Sequence, residues 1–366
     1  MLKDWGSRDQ YMCAVAADCR QRLLQMAGLP KEAGYECVLQ QGSGTFIVET
    51  VVTSVVPPPE KGGRVLVLAN GSYGLRLGQI CEMAGIDYEL VKQTEQEVPT
   101  PSMVLELLKR LGADRPFTHV GVIHHETSAG TLNPVEDIGR AIKGYDPSIS
   151  FIVDSMSGFG AHPVDMQAGN IHYLVSSANK NIEGVPGLGF ALVHRGRMEA
   201  EGVHARSVSL DLLGQWKGME ANGQFRFTPP THAVMAFRQA LLEHEAEGGI
   251  AGRLARYQEN SKILREGMAE MGMETFVPAE IHGAIIATFL CPGDANFHFE
   301  TFYSLLSDRG MQIYPGKLAG CECFRVANIG RIFPHDMRNL LMGIRETLLE
   351  MGVSLPVKQV PGPPKA

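Results

Sequence analysis

The sequence predicts an α/β fold: a large domain with a mostly parallel sheet flanked by helices, followed by a smaller C-terminal α+β domain. Two observations carry this. From about residue 36 to 193, short β-rich runs alternate with helical patterns, the signature of strand–helix–strand units. Beyond Pro229-Pro230 the pattern changes to longer helices separated by short strands.

In chain order the first-half strands are expected at 64–69 (RVLVLA), 119–124 (HVGVIH), 150–153 (SFIV) and 172–176 (HYLVS), with 189–193 (GFALV) a further candidate. Four of them stop at polar clusters: Asn70 to Gly74, His125 to Ser128, Asp154 to Ser157, and Ser177 to Lys180. Ligands of open parallel sheets sit just beyond the carboxyl ends of the strands, so the four clusters are expected to converge on one site. The run PPPEKGG over 57–63 reads as a turn between a helix and the next strand. In the second half, helices are expected over 233–247, 253–271, 297–309 and 334–351, and strands over 284–290, 312–314 and 323–328. The division is therefore a large domain over 1–235, a small one over 236–354 and a disordered tail over 355–366.

With 366 residues and 44% hydrophobic content, the chain is long enough for two cores. Its net charge of −7 includes no basic block, so nothing points to nucleic acid. No run approaches the roughly 18 apolar residues that span a bilayer, and the N-terminus has no signal-peptide pattern. A cytoplasmic protein is expected, with no membrane partner. Seven scattered cysteines suggest reduced thiols, and Cys321 and Cys323 lack the partners that would complete a zinc set. Nor do His124, His125, Glu126, His204 and His232 form a helical metal-binding pair, so they read as satisfied or exposed side chains and no metal is expected.

Several residues carry a chemical reading beside an ordinary one. Ser43, Gly44 and Thr45, ahead of an apolar helical run, form either an anion cradle at a helix start or a tight turn. Asp154, at the rim of a buried strand, is either a cap or the partner of a protonated pyridine nitrogen. Lys180, just past the next strand, is a surface amine or a desolvated one able to form an imine and shuttle a proton. Tyr73 either packs in the core or covers a flat ring, and Thr127 either caps a turn or bonds a ring oxygen. Arg325 is half of an ion pair or a planar clamp for a carboxylate.

Taken together, LQQGSGTF, NGSYGLR, HHETSAGTLNP, IVDSMSGFG, YLVSSANKNIEGVPG, RSVSLDL, QFRFTPPTH, IYPGK and CFRVANIG resemble, in order, the motifs of the class V aminotransferases of fold type I. SSANK with GVPG, RSVSLDL and FRFTPPTH favour the branch that takes 2-aminoethylphosphonate with pyruvate. A second reading keeps the cofactor but uses alanine or serine with glyoxylate or pyruvate. The resemblance implies pyridoxal 5'-phosphate as cofactor, with Lys180 its Schiff-base lysine, Asp154 at the ring nitrogen, Tyr73 stacked on the ring and Thr127 at the ring hydroxyl. It also implies that Ser43, Gly44 and Thr45 hold the phosphate, and that Arg325 binds the carboxylate of pyruvate or alanine. Thr228 and Thr231 would reach the phosphate of a neighbouring subunit's cofactor, which makes a homodimer with shared sites the expected assembly. The family's opening segment, with its Thr-Pro-Gly-Pro motif, is expected to be missing: Met1 corresponds to a point roughly 25 residues into a typical member. That motivates a third reading, a weakly active or non-catalytic cofactor-binding scaffold.

Overall fold

The computed structural model describes residues 3–316, 318 and 321–358. The chain opens with α1 (Gln10–Met26), which starts where the Asp9 carboxylate accepts the Tyr11 N–H. Then come β1 (Tyr35–Gln41), α2 (Gly44–Val55), β2 (Val65–Ala69), α3 (Ser72–Met83), β3 (Tyr88–Lys92) and α4 (Pro101–Leu111). Next are β4 (His119–Ile123), a small hairpin of β5 (His125–Glu126) and β6 (Thr131–Leu132), α5 (Val135–Tyr145), β7 (Ser150–Asp154), β8 (Tyr173–Ser177) and β9 (Leu188–His194). Three helices follow, α6 (Arg195–Glu201), α7 (Leu212–Asn222) and α8 (Thr231–Ala246). The last part holds α9 (Gly249–Glu270), β10 (Ile286–Leu290), α10 (Phe299–Asp308), β11 (Tyr314–Pro315), β12 (Cys323–Ala327) and α11 (Pro334–Glu350).

Seven strands form one sheet in the order β1-β9-β8-β7-β4-β2-β3. The pairs among β8, β7, β4, β2 and β3 are parallel, whereas β9 runs antiparallel to both β8 and β1. The reversal at β9 has a simple cause. A parallel return needs a crossover of about a dozen or more residues, usually a helix, and the short helix-free loop between Ser177 and Leu188 does not supply one. The edge strand β3, YELVK, was not anticipated, because a half-buried edge carries a weak apolar signal.

Each central strand is buried on both faces and so reads as a continuous apolar run. In β2, Leu66 and Leu68 face a core shared with α1, α4, α5 and α8, while Val65 and Val67 face one shared with α2, α3 and α7. A second sheet, β10-β12-β11, is antiparallel and packs its own core against α9, α10 and α11. The turn after α2 is as expected, and Gly63 is required there because a Cβ would lie 1.8 Å from the Pro57 carbonyl oxygen.

Two expected boundaries move. Val234, Phe237, Ala240 and Leu241 of α8 join the core of the large sheet, so the change of core falls in the turn Glu247 to Gly249 rather than at 235/236. At the other end, Val357 is buried and its N–H donates to the Met271 carbonyl at 2.9 Å, so residues 355–358 of the expected disordered tail are docked; 359–366 lie outside the described residues. Among the described residues no helix is long and apolar enough to cross a membrane.

Candidate active site

Ile123 pairs with Asp154, and Asp154 with Val175, so β4, β7 and β8 end level with one another. Adding β2, four carboxyl ends lie side by side over roughly 15 Å, three inter-strand spacings. The polar clusters that follow them are thus brought to one edge. A narrow, deep cavity opens there, lined by Gly44, Thr45, Tyr73, Thr127, Asp154 and His125 among others. Tyr73 and Thr127 also line the wider outer cleft, together with Lys180 and Arg325, so the two spaces form one site.

At the deep end, Asp154 is buried, and its Oδ1 accepts the Met156 N–H at 2.9 Å. Among the described residues no lysine or arginine nitrogen lies within 4 Å of its carboxylate. Burial therefore dominates and pushes Asp154 up to about 7; the negative Glu126 adds to the rise, while the Met156 N–H, Arg76 and Lys180 oppose it. A buried carboxylate lacking a cation is what a protonated ring nitrogen would complete, so the donor set fits a pyridinium cofactor.

Behind Asp154 stands a wall of imidazoles. His125 lies 5.7 Å from the ring of His162, and His124 lies 6.2 Å from it. Burial, reinforced by their mutual proximity, holds His124 down to about 3 and His125 well below the usual range, and burial holds His162 down to about 4. Neutral rings add no positive charge to oppose a cation beside Asp154. His125 Nδ1 sits 2.9 Å from Ser157 Oγ, which is 2.7 Å from Thr127 Oγ1, so the Thr127 hydroxyl is held from behind. Sequence reasoning passed over His125 and Ser157 as site residues; their positions at the ends of β4 and β7 were the available signal.

Tyr73 is set by its backbone. Glu126 is fully buried and accepts the N–H groups of Tyr73 and Gly74 at 3.2 Å through Oε2, closing the start of α3. Its Oε1 accepts the Ser128 hydroxyl at 2.6 Å. The fit leaves no room at Gly71, where a Cβ would lie 2.4 Å from Glu126 Cγ. Arg76, one turn along α3, lies 4.8 Å from the Tyr73 ring centroid, and its Nη1 is 3.5 Å from Thr45 Oγ1.

Ser43 is the N-cap of α2 and makes no side-chain capping bond; Gly44 and Thr45 line the cavity, while Ser43 is not among its lining residues. Across the cleft, Arg325 is 5% exposed, with Nε donating to the Pro315 carbonyl at 3.1 Å and Nη1 to that of Thr127 at 2.9 Å. Among the described residues no carboxylate lies within 4 Å of it, so the ion pair that was the ordinary reading is not formed. Burial lowers its pKa from the usual value. Thr228 and Thr231 do not join this site: Thr228 is exposed in a separate recess with Gln41, Gly42 and Ser209, and Thr231 opens α8. Among the described residues no group of three or more His, Cys, Asp or Glu side chains is arranged to hold a metal ion.

A family model described as aminotransferase class-V matches residues 7–331. A 2-aminoethylphosphonate–pyruvate transaminase from Syntrophobacter fumaroxidans is 43% identical over 353 residues, covering 96% of this chain and 92% of the relative. One of the same name from Vibrio cholerae is 41% identical over 350 residues, covering 95% and 93%. Among solved structures, pyridoxamine–pyruvate aminotransferase from Mesorhizobium loti superposes with a TM-score of 0.85 at 21% identity, covering 97% of this chain and 88% of that one. Ureidoglycine–glyoxylate aminotransferase from Bacillus subtilis gives 0.85 at 20%, covering 96% and 89%. At these identities the two structures bear on the fold alone.

Proposed function

The chain belongs to the class-V aminotransferases, and on that premise we propose that it transfers the amino group of 2-aminoethylphosphonate to pyruvate, giving phosphonoacetaldehyde and alanine. The observation that carries the substrate reading is the likeness, over nine-tenths or more of both chains, to transaminases of that name. For alanine with glyoxylate the likeness is to a solved structure at 22% identity, which bears on the fold alone.

The cofactor is pyridoxal 5'-phosphate, which when bound supplies an electron sink for the pair left on the substrate carbon as its proton departs. In our reading Lys180 would hold the cofactor between turnovers, and its amine, when free, would take and return the proton at substrate Cα. Asp154 holds the proton on the ring nitrogen, since a cation there returns its own carboxyl to the ionised form. Tyr73 covers the ring, and Thr127, steadied by Ser157, bonds the ring oxygen. Gly44 and Thr45, with Ser43, take the phosphate at the start of α2, where free N–H groups and the helix dipole favour an anion. Arg325 takes the carboxylate of pyruvate or alanine; its guanidinium is held by two carbonyls and pairs with no carboxylate among the described residues.

The active unit in this reading is a cytoplasmic homodimer, with Thr228 and Thr231 serving the partner's cofactor. Neither threonine lines the chain's own cleft, which supports that reading. The test is a purified enzyme assayed with both donors. Turnover of 2-aminoethylphosphonate with pyruvate should exceed that of alanine with glyoxylate in kcat/KM, and Lys180→Ala should lose transamination and the normal visible absorption together. Undiminished turnover in Lys180→Ala would remove the lysine assignment, and a preference for alanine and glyoxylate by orders of magnitude would remove the phosphonate one.

A further inference from the structure

A phosphate ester carries about 1.5 to 2 negative charges at neutral pH, whereas a helix start offers only about half a positive one. The deep cavity has one side chain that can supply the rest. Among the described residues that line it, Arg76 is the only lysine or arginine, and it does so together with Gly44 and Thr45. Its Nη1 lies 3.5 Å from Thr45 Oγ1. No carboxylate oxygen among the described residues comes within 4 Å of its guanidinium, which sits beside the Tyr73 ring at 4.8 Å from the centroid. The other ionisable groups of this lining are the acid Asp154 and His125, which burial keeps neutral. An anion entering there meets no other full positive charge in the wall.

The start of α2 is open toward the same space. Among the described residues the N–H groups of Gly44 and Thr45 reach no acceptor, whereas that of Phe46 donates to the Ser43 carbonyl at 3.0 Å. Gly44 is pressed onto the end of β7, since a Cβ there would lie 2.4 Å from Met156 Sδ. Met156 in turn donates its N–H to Asp154 Oδ1 at 2.9 Å. The anion cradle and the carboxylate for the ring nitrogen are therefore set side by side, and Arg76 reaches the cradle from α3. The outer cleft has cations of its own, Arg325 and Arg331, beside Lys180. A substrate's acidic group thus meets positive charge without entering the deep cavity.

Resting on the reading that Gly44 and Thr45 take the cofactor phosphate, we propose that Arg76 is the counter-ion of that phosphate, and the residue by which the site tells the phosphorylated cofactor from its unphosphorylated form. A guanidinium offers parallel N–H donors that match phosphate oxygens, and its contact with the Tyr73 ring limits the freedom it loses on binding. The rival role is support of Tyr73 alone. That role would act on the cofactor ring, which both forms share.

The test is equilibrium dialysis of the full chain, freed of cofactor, against pyridoxamine 5'-phosphate and against pyridoxamine. Neither ligand has an aldehyde, so Lys180 forms no bond with either and the ratio of the two dissociation constants reports the phosphate. Wild type should bind the phosphorylated form at least about a hundredfold more tightly. Arg76→Met should weaken that form by roughly 10- to 100-fold and pyridoxamine by less than about threefold, with Arg76→Lys in between. Should Arg76→Met fail to fold, Arg76→Gln should shift the ratio in the same direction. Equal weakening of both ligands would overturn the proposal and leave Arg76 a support for Tyr73. A tenfold rise in KM for 2-aminoethylphosphonate at saturating cofactor, with the dialysis ratio intact, would overturn it too and move Arg76 to the substrate's phosphonate. A wild type that binds both forms alike would bring down the phosphate cradle at Gly44 and Thr45, and this proposal with it.

Discussion

A carboxyl group with an ordinary value of 3.8 is pushed up to about 7 at Asp154, because burial removes water and the negative Glu126 stands nearby while no cation lies within ion-pairing distance among the described residues. Between those values the folded, cofactor-free protein holds a proton that the unfolded chain has released. The contribution of Asp154 to stability therefore falls as pH rises from about 4 to about 7 and levels off above, while the buried histidines His124 and His162, held down to about 3 and about 4, contribute in the opposite sense over much of that window. Cofactor-free Asp154→Asn has no such charge to bury. In thermal melts from pH 4 to 9, the stability of cofactor-free wild type relative to Asp154→Asn should fall by a few kcal/mol across that window, and the variant should bind pyridoxal phosphate less tightly. A difference between the two profiles that does not change with pH would show that Asp154 ionises at its ordinary pH. The position of Asp154 was legible in the sequence, because a carboxylate straight after three buried apolar residues is costly without a purpose. Its pKa was not, since that depends on what β4, α3 and Met156 place around it.

Among the elements, α3 shows how a helix start can be built from a distant residue. Its first N–H groups are met by Glu126, on the hairpin after β4, and the same contact fixes the Tyr73 backbone. Glu126→Ala leaves those donors buried and unsatisfied, and should cost about 3 kcal/mol in denaturant unfolding with a drop in cofactor affinity. Glu126→Gln should be partly impaired, because one face of the amide presents N–H groups to backbone N–H donors. A Glu126→Ala variant of wild-type stability would show that water replaces the carboxylate without penalty. The strands of the large sheet were readable from their apolar runs, since burial on both faces leaves few polar positions. The antiparallel course of β9 and the edge strand β3 were not, because direction and pairing are set by the length of the connections and by neighbours.

At the scale of the whole molecule, the division between the two cores matters most for the site. Lys180 lies on one side, Arg325 on the other, and α9 reaches across. The homodimer we propose adds a further level, with Thr228 and Thr231 crossing to the partner. Mixing Lys180→Ala subunits with a Thr228→Val, Thr231→Val double variant should restore activity to about a quarter of the wild-type level, as half the dimers carry one complete site. Sedimentation should show a dimer throughout. Absence of restoration in verified hybrids would argue that the threonines act within their own chain or not at all.

The sequence by itself determined the α/β class, the strand ends that carry chemistry and the residue types gathered there, because a buried parallel strand writes its apolar run and its polar stop into consecutive residues. Only the tertiary structure decided which side chains meet. Glu126 against the start of α3, His125 behind Thr127, Arg256 between the segments that carry Lys180 and Arg325, and α8 within the large core all join residues far apart in the chain. Such contacts arise from the packing of elements against one another, and no local pattern encodes them.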